Sequence, residues 1–175
     1  MAKNQLLLNV ARSLLLLHFV LLIALSAKGS SITHNKPYTI RVFVSSSMLI
    51  SLLKSYAGEA KKYNATLVFK GLPKGSFKEL SKLILSMKDE GTREDELRSI
   101  QIDDEAFDRF NVTSVPSIVL SHESECETPA ACKLTYDKID GAIDIETALE
   151  KFARIGDMRE TAAEILKQVG NEDIK

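Results

Sequence analysis

The stretch that most restricts the fold is VFVSSSMLISLL, Val42–Leu53, because it carries a strand directly into a helix. Tyr38–Val44 is rich in β-branched and aromatic residues and reads as a strand. From Met48 onward, Met48, Leu49, Leu52, Leu53, Tyr56, Ala57 and Ala60 recur at helical spacing and define one apolar face. Ser47 stands where a serine hydroxyl caps such a helix, and Asn64 ends it. Ala65–Phe69 (ATLVF) follows as a second strand, apolar almost throughout, the pattern of a strand at a sheet centre. Two strands joined through a helix lie parallel in one sheet, since a parallel pair needs a crossover of that length. The chain is therefore expected to be α/β.

The rest of the chain extends the sheet on its other side. Gly71 and Pro73 turn the chain, and Ser76 with Glu79 has the spacing of a capping box. Phe77, Leu80, Leu83, Ile84 and Met87 supply a second helix face. Lys88–Arg98 is densely and mixedly charged and reads as a solvated helix end and loop. Ile100–Ile102 is a short extended piece. Asp103 is placed to cap a small helix, with Ile102 and Phe107 as its hydrophobic staple, Phe107 and Phe110 facing the core, and Asn111 closing it. Val115-Pro116 leads into a strand, Ser117–Leu120, and Lys133–Tyr136 reads as its return strand. Gly141 breaks and Asp144 caps a helix with Ile145, Ala148, Leu149 and Phe152 on one face. After Gly156, Met158–Val169 forms a last amphipathic helix. A parallel β-α-β unit, a short extended piece with a small helix, an antiparallel pair and closing helices make a mixed central sheet flanked by helices.

The N-terminal segment stands outside this pattern. Met1–Ala27 has the order of a secretory signal: Lys3 and Arg12, the apolar run Leu14–Leu25, then the small residues Ser26 and Ala27. The run is about 12 residues, short of the ~20 a spanning helix needs. His18 within it is a tolerated neutral imidazole. Cleavage after Ala27 or after Ser26 fits the pattern, and an uncleaved N-terminal anchor is the alternative. The expected organisation is a signal peptide at 1–27, a polar linker at 28–37, a domain at 38–155 and a C-terminal helix at 156–175. No other apolar run is long enough to span a membrane once the signal is removed.

Of 23 basic and 24 acidic residues, only Lys3 and Arg12 lie in the leader, so the exported chain carries a net charge of −3. No basic patch marks nucleic-acid binding. Cys126 and Cys132 stand close together in the polar loop SHESECETPAAC. In an oxidising compartment such a pair most often forms a disulfide. A redox-active pair, or a loose metal set with His122 and Glu123, are the alternatives. A bridge closing so short a loop adds about 2 kcal/mol. No cofactor is expected.

An ordered set of fragments carries a family resemblance. Phe43-Val44-Ser45, Ser47-Met48, the run Leu67–Leu72 (LVFKGL), Gln101-Ile102-Asp103, Phe107 and Val115-Pro116 lie between Thr39 and Leu120, behind a secretory leader. Together they resemble the TrbC family of F-type conjugative pilus assembly proteins. The resemblance implies a periplasmic domain of thioredoxin-like fold, related to the catalytic domains of DsbC-type disulfide isomerases. It also implies that Val115-Pro116 is a cis bond against the strand-to-helix junction; X-Pro bonds in general are cis only ~5% of the time. Two positions depart from the family pattern. Leu49 stands where the family usually has proline after Ser-Met, and Lys70 where it has arginine before Gly-Leu. A lysine there offers a point charge in place of a forked guanidinium.

A thiol–disulfide catalyst needs a thiolate near the helix N-terminus, and Ser45, Ser46 and Ser47 cannot supply one. A serine hydroxyl is not nucleophilic without a base, and although His34 and His122 exist, no nucleophile-elbow pattern surrounds these serines. The chain therefore reads as not an enzyme. Two readings of the junction remain open. Ser47 is a helix cap and Met48 and Leu49 a packed face, or Ser45, Ser46, Ser47 and Met48 with Val115 and Pro116 keep a groove that grips a partner's backbone. The resemblance implies a non-catalytic periplasmic assembly factor for a conjugative, type IV secretion pilus, with TraW-type proteins and other transfer components as partners. The alternatives are a periplasmic thiol–disulfide oxidoreductase or isomerase using Cys126 and Cys132, and a general periplasmic chaperone.

Overall fold

The computed structural model of the protein describes residues 38–88, 100–122 and 134–172. The leader and linker, most of the charged segment after Lys88, and the loop with Cys126 and Cys132 lie outside the described residues.

Five strands form one mixed sheet in the order β3-β2-β1-β4-β5. They are β1 (Tyr38–Val44), β2 (Thr66–Phe69), β3 (Ile100–Ile102), β4 (Ser117–His122) and β5 (Tyr136–Asp140). β1, β2 and β3 run parallel, β4 returns antiparallel along β1, and β5 pairs antiparallel with β4. Helices α1 (Ile50–Tyr63) and α2 (Phe77–Met87) provide the expected crossovers; α3 (Asp104–Arg109) is short, and α4 (Ile145–Ile155) and α5 (Arg159–Glu172) follow the sheet. The fold is α/β, as the strand–helix–strand pattern requires.

Strand alternation divides the core into two layers. Ile40, Val42 and Val44 of β1, Leu67 and Phe69 of β2, and Ile118 and Leu120 of β4 share one cluster with Leu53, Tyr56 and Ala60 of α1. Ile145, Leu149 and Phe152 of α4 and Ala162 and Ile165 of α5 complete it, so the C-terminal helix is part of the core. Phe43, Val68 and Val119 point the other way and meet Ala106, Phe107 and Phe110. Phe43 packs edge-on to Phe107 at 4.8 Å and to Phe110 at 5.9 Å between ring centroids. Fully burying a side chain such as Phe43 contributes roughly 2–3 kcal/mol.

The helix ends show what local signals specify and where neighbours override them. Asn64 takes the left-handed conformation (φ 49°) that ends α1, and the Ala65 N–H reaches the Ala60 carbonyl at 2.8 Å. Asp103 caps α3 by accepting from the Ala106 N–H at 2.9 Å, and Asp144 caps α4 by accepting from the Thr147 N–H at 2.6 Å. Five expectations are corrected. Ser47 does not cap α1: the helix starts at Ile50 behind Leu49, which is extended and has no side-chain cap. Leu49 is consequently 76% exposed and off the packed face. Ser76 does sit at the N-cap of α2, but no capping box forms, because Glu79 turns to Lys82, 2.7 Å away. Phe77, expected on the buried face, is 73% exposed. The return strand is Tyr136–Asp140, later than Lys133–Tyr136, because pairing places Tyr136 opposite Ser121 and Asp140 opposite Ser117.

A long-range cap joins β5 to the last helix. The Asp137 carboxylate accepts from the backbone N–H groups of Asp157 (2.8 Å) and Met158 (2.9 Å), the two residues of the turn that leads into α5. Gly156 makes the approach possible. A Cβ added there would overlap the Asp137 carboxylate and stand 2.7 Å from the Phe152 carbonyl oxygen.

Candidate functional site

Parallel α/β sheets collect ligand contacts on the loops beyond the carboxyl ends of their strands. In this sheet that edge is formed by the turn after β1, the loop after β2 and the start of α3. The antiparallel register adds Val115 and Pro116, since Ser117 pairs with Phe43 and the residues before it lie beside the end of β1. The Val115-Pro116 bond is cis, as expected. Pro116 is buried and Val115 half-buried within the second core layer, so this pair supports the edge from below more than it lines the surface. The Pro116 carbonyl accepts from the Gly141 N–H at 2.9 Å.

The junction itself is a tight turn. The Ser45 carbonyl accepts from the Met48 N–H at 3.1 Å, and the Ser45 N–H donates to the Met48 sulfur at 3.3 Å. The Ser45 hydroxyl oxygen accepts from the Ser47 N–H at 3.2 Å and lies 2.9 Å from the Ser47 hydroxyl. This closed ring occupies both hydroxyls, which is why Ser47 cannot reach the helix. Ser46 takes no part in it and faces outward, exposed.

Ser46 opens onto a cleft of about 340 Å³ between the junction and α2, lined also by Pro73, Lys74, Glu79, Lys82 and Leu83. Sequence reasoning missed this partner wall. Its signal was present as the lysine spacing of 74, 78 and 82, of which Lys74 and Lys82 line the cleft. Lys82 beside Glu79, with a further contribution from Lys74, holds the Glu79 carboxyl below its usual value. A larger cleft, about 460 Å³, lies at the far side of the sheet between β5 and α4 and contains none of the expected site residues.

The loop after β2 is built to stay put. Gly71 adopts φ 66°, and its N–H donates to the Asp104 carboxylate, tying β2 to α3. Lys70 places its ammonium 5.7 Å from the centre of the Phe107 ring, a contact that a point charge can make.

His122, at the far end of β4, pairs with Tyr38 at the start of β1. Six residue steps along β1, about 20 Å at ~3.3 Å per residue, separate it from the junction. Among the described residues no cluster of His, Cys, Asp and Glu could hold a metal ion. No helix among them is long and apolar enough to cross a membrane.

The family described as "Type-F conjugative transfer system pilin assembly protein" has a model that matches residues 42–152, from the strand leading into the junction through most of α4. The chain is also similar to "Periplasmic protein TrbC" of Escherichia coli (strain K12), 28% identical over 129 residues. That alignment covers 74% of this chain and 54% of the relative, so the chain spans about half the length of the curated protein it matches. No solved structure matches the chain. Because the family's model covers well over half of the sequence and nearly all of the sheet, the chain belongs to the F-type TrbC family of conjugative transfer pilin assembly proteins.

Proposed function

We propose that this protein is a non-catalytic periplasmic assembly factor for a conjugative pilus, exported by a leader at 1–27. In this reading its domain is thioredoxin-like, with the redox site replaced by a partner-binding ledge. Ser45, Ser46, Ser47 and Met48 form the ledge, and Val115-Pro116 supports it. TraW-type assembly proteins and other transfer components are its partners, and Cys126 and Cys132 form a structural bridge. Family membership and the periplasmic naming of the relative support the setting. The strand order and the early strand-to-helix junction support the thioredoxin-like reading.

The observation that carries the non-catalytic reading is the serine ring. Ser45 and Ser47 bond one another and the local backbone, and among the described residues no base bonds either hydroxyl. Ser46, exposed and small, is left as a gate to the cleft. Replacement by a bulky residue, Ser46→Trp, should block co-purification with a TraW-type partner while leaving the thermal melt unchanged. Arg159→Glu, at the start of α5, serves as the distant surface control. Normal binding by Ser46→Trp together with lost binding by Arg159→Glu would move the interface to the C-terminal helix and dismiss the ledge.

A further inference from the structure

We infer that the cleft beside Ser46 takes an acidic segment of a partner chain, held by Lys74 and Lys82 on the wall formed by α2 and the turn before it. This rests on the ledge reading above and specifies what the ledge holds. The first observation is charge. Lys70–Lys88 contains five lysines and one acidic residue, Glu79, whereas the whole chain has a net charge of −1. Lys74 and Lys82 line the cleft itself, and Lys78 is exposed on the same helix. The second observation is Glu79. It already sits between Lys74 and Lys82 as an acidic group on the cleft wall, bonded to Lys82 at 2.7 Å. An incoming carboxylate can take the same position against the same ammonium groups. The third is shape. The site is a shallow, open cleft lined by both Ser46 and Leu83. A groove accepts a peptide chain, whereas a bilayer surface meets protruding residues. Leu83 gives the segment an apolar contact between its charges.

Two synthetic amphipathic peptides with the same apolar residues, one bearing glutamates and one bearing lysines, provide the probe. The purified full chain should bind the glutamate peptide, reject the lysine peptide, and release its ligand as salt is raised to about 0.5 M, where surface charges are screened. Lys74→Glu combined with Lys82→Glu should weaken binding about tenfold or more. Glu79→Gln, which removes the internal competitor, should tighten it about threefold, a gain that misfolding cannot produce. Equal binding of the two peptides, or no response to the lysine reversals in a variant that melts normally, overturns the inference. Binding to vesicles containing phosphatidylglycerol, with no binding of either peptide, would assign the lysines to a membrane surface instead. Co-purification with the native partner separates this inference from the ledge. If Ser46→Trp blocks the partner and the lysine reversals do not, the ledge stands and the acidic ligand falls. If the reversals block it and Ser46→Trp does not, the lysine wall stands and the ledge falls.

Discussion

Gly156→Ala tests the linkage between β5 and the C-terminal helix. The added Cβ meets the Asp137 carboxylate on one side and the Phe152 carbonyl oxygen, 2.7 Å away, on the other. The backbone conformation is not the obstacle, because φ at Gly156 is −78° and suits any residue. The carboxylate can move only by releasing the Asp157 and Met158 N–H groups, the loss of an N-terminal cap, about 1–2 kcal/mol. The carbonyl belongs to the last turn of α4 and cannot rotate away cheaply, which adds roughly 1–2 kcal/mol of overpacking strain. The expected cost is about 3 kcal/mol, or about 10 °C in melting temperature for a domain of this size. Thermal and urea melts followed by far-UV circular dichroism measure it. In an Asp137→Ala background the same substitution should cost about 1 kcal/mol less, since its main obstruction is gone. A melt within ~2 °C of the parent would refute the close approach. Strict additivity of the two substitutions would refute Asp137 as the obstruction.

Mass spectrometry of exported protein should find the mature N-terminus near residue 28; intact Met1 in the membrane fraction would identify an anchor. Replacing Cys126 and Cys132 with serine should cost at most about 2 kcal/mol and leave assembly working at permissive temperature. Loss of assembly without loss of stability would instead indicate redox chemistry. Asp144→Ala should cost about 1 kcal/mol near neutral pH, through loss of the cap on α4. The bond from the Thr147 N–H holds the Asp144 carboxyl below its ordinary value of 3.8. Its contribution is therefore present above that value and lost as pH falls through the lowered one, so variant and parent should converge in acid; a gap that does not narrow as pH falls would refute the cap.

What could be read from the sequence was what neighbours in sequence decide. The limits of β1, Asn64 as the end of α1, and the caps Asp103 and Asp144 follow from local periodicity and from one side chain reaching two or three residues ahead. The failures share a different cause. Three consecutive serines offer degenerate cap positions, and the choice fell to a Ser45–Ser47 bond that periodicity cannot rank. The capping box lost to Lys82, a competitor one turn further along. β5 was misplaced because an edge strand carrying Asp137, Lys138 and Asp140 has little apolar alternation to announce it. Nothing near Ser46 in the sequence announces the wall that α2 sets opposite it. Ser46 and α2 meet only after β2 has been laid against β1, and the Asp137 cap spans twenty residues.

Both margins of the sheet discourage the addition of another strand. β3 offers three residues before the chain enters the Asp103 cap. β5 carries Asp137, Lys138 and Asp140, its Lys138 donating to the Asn111 carbonyl and its Asp137 occupied with the turn before α5. Short, charged margins of this kind are poor templates for backbone pairing. An unfolded or polymerising chain that meets this protein therefore finds no inviting ladder to extend. Among the described residues, contact with such a chain falls to side-chain surfaces, where attachment is more readily reversed than in a shared sheet.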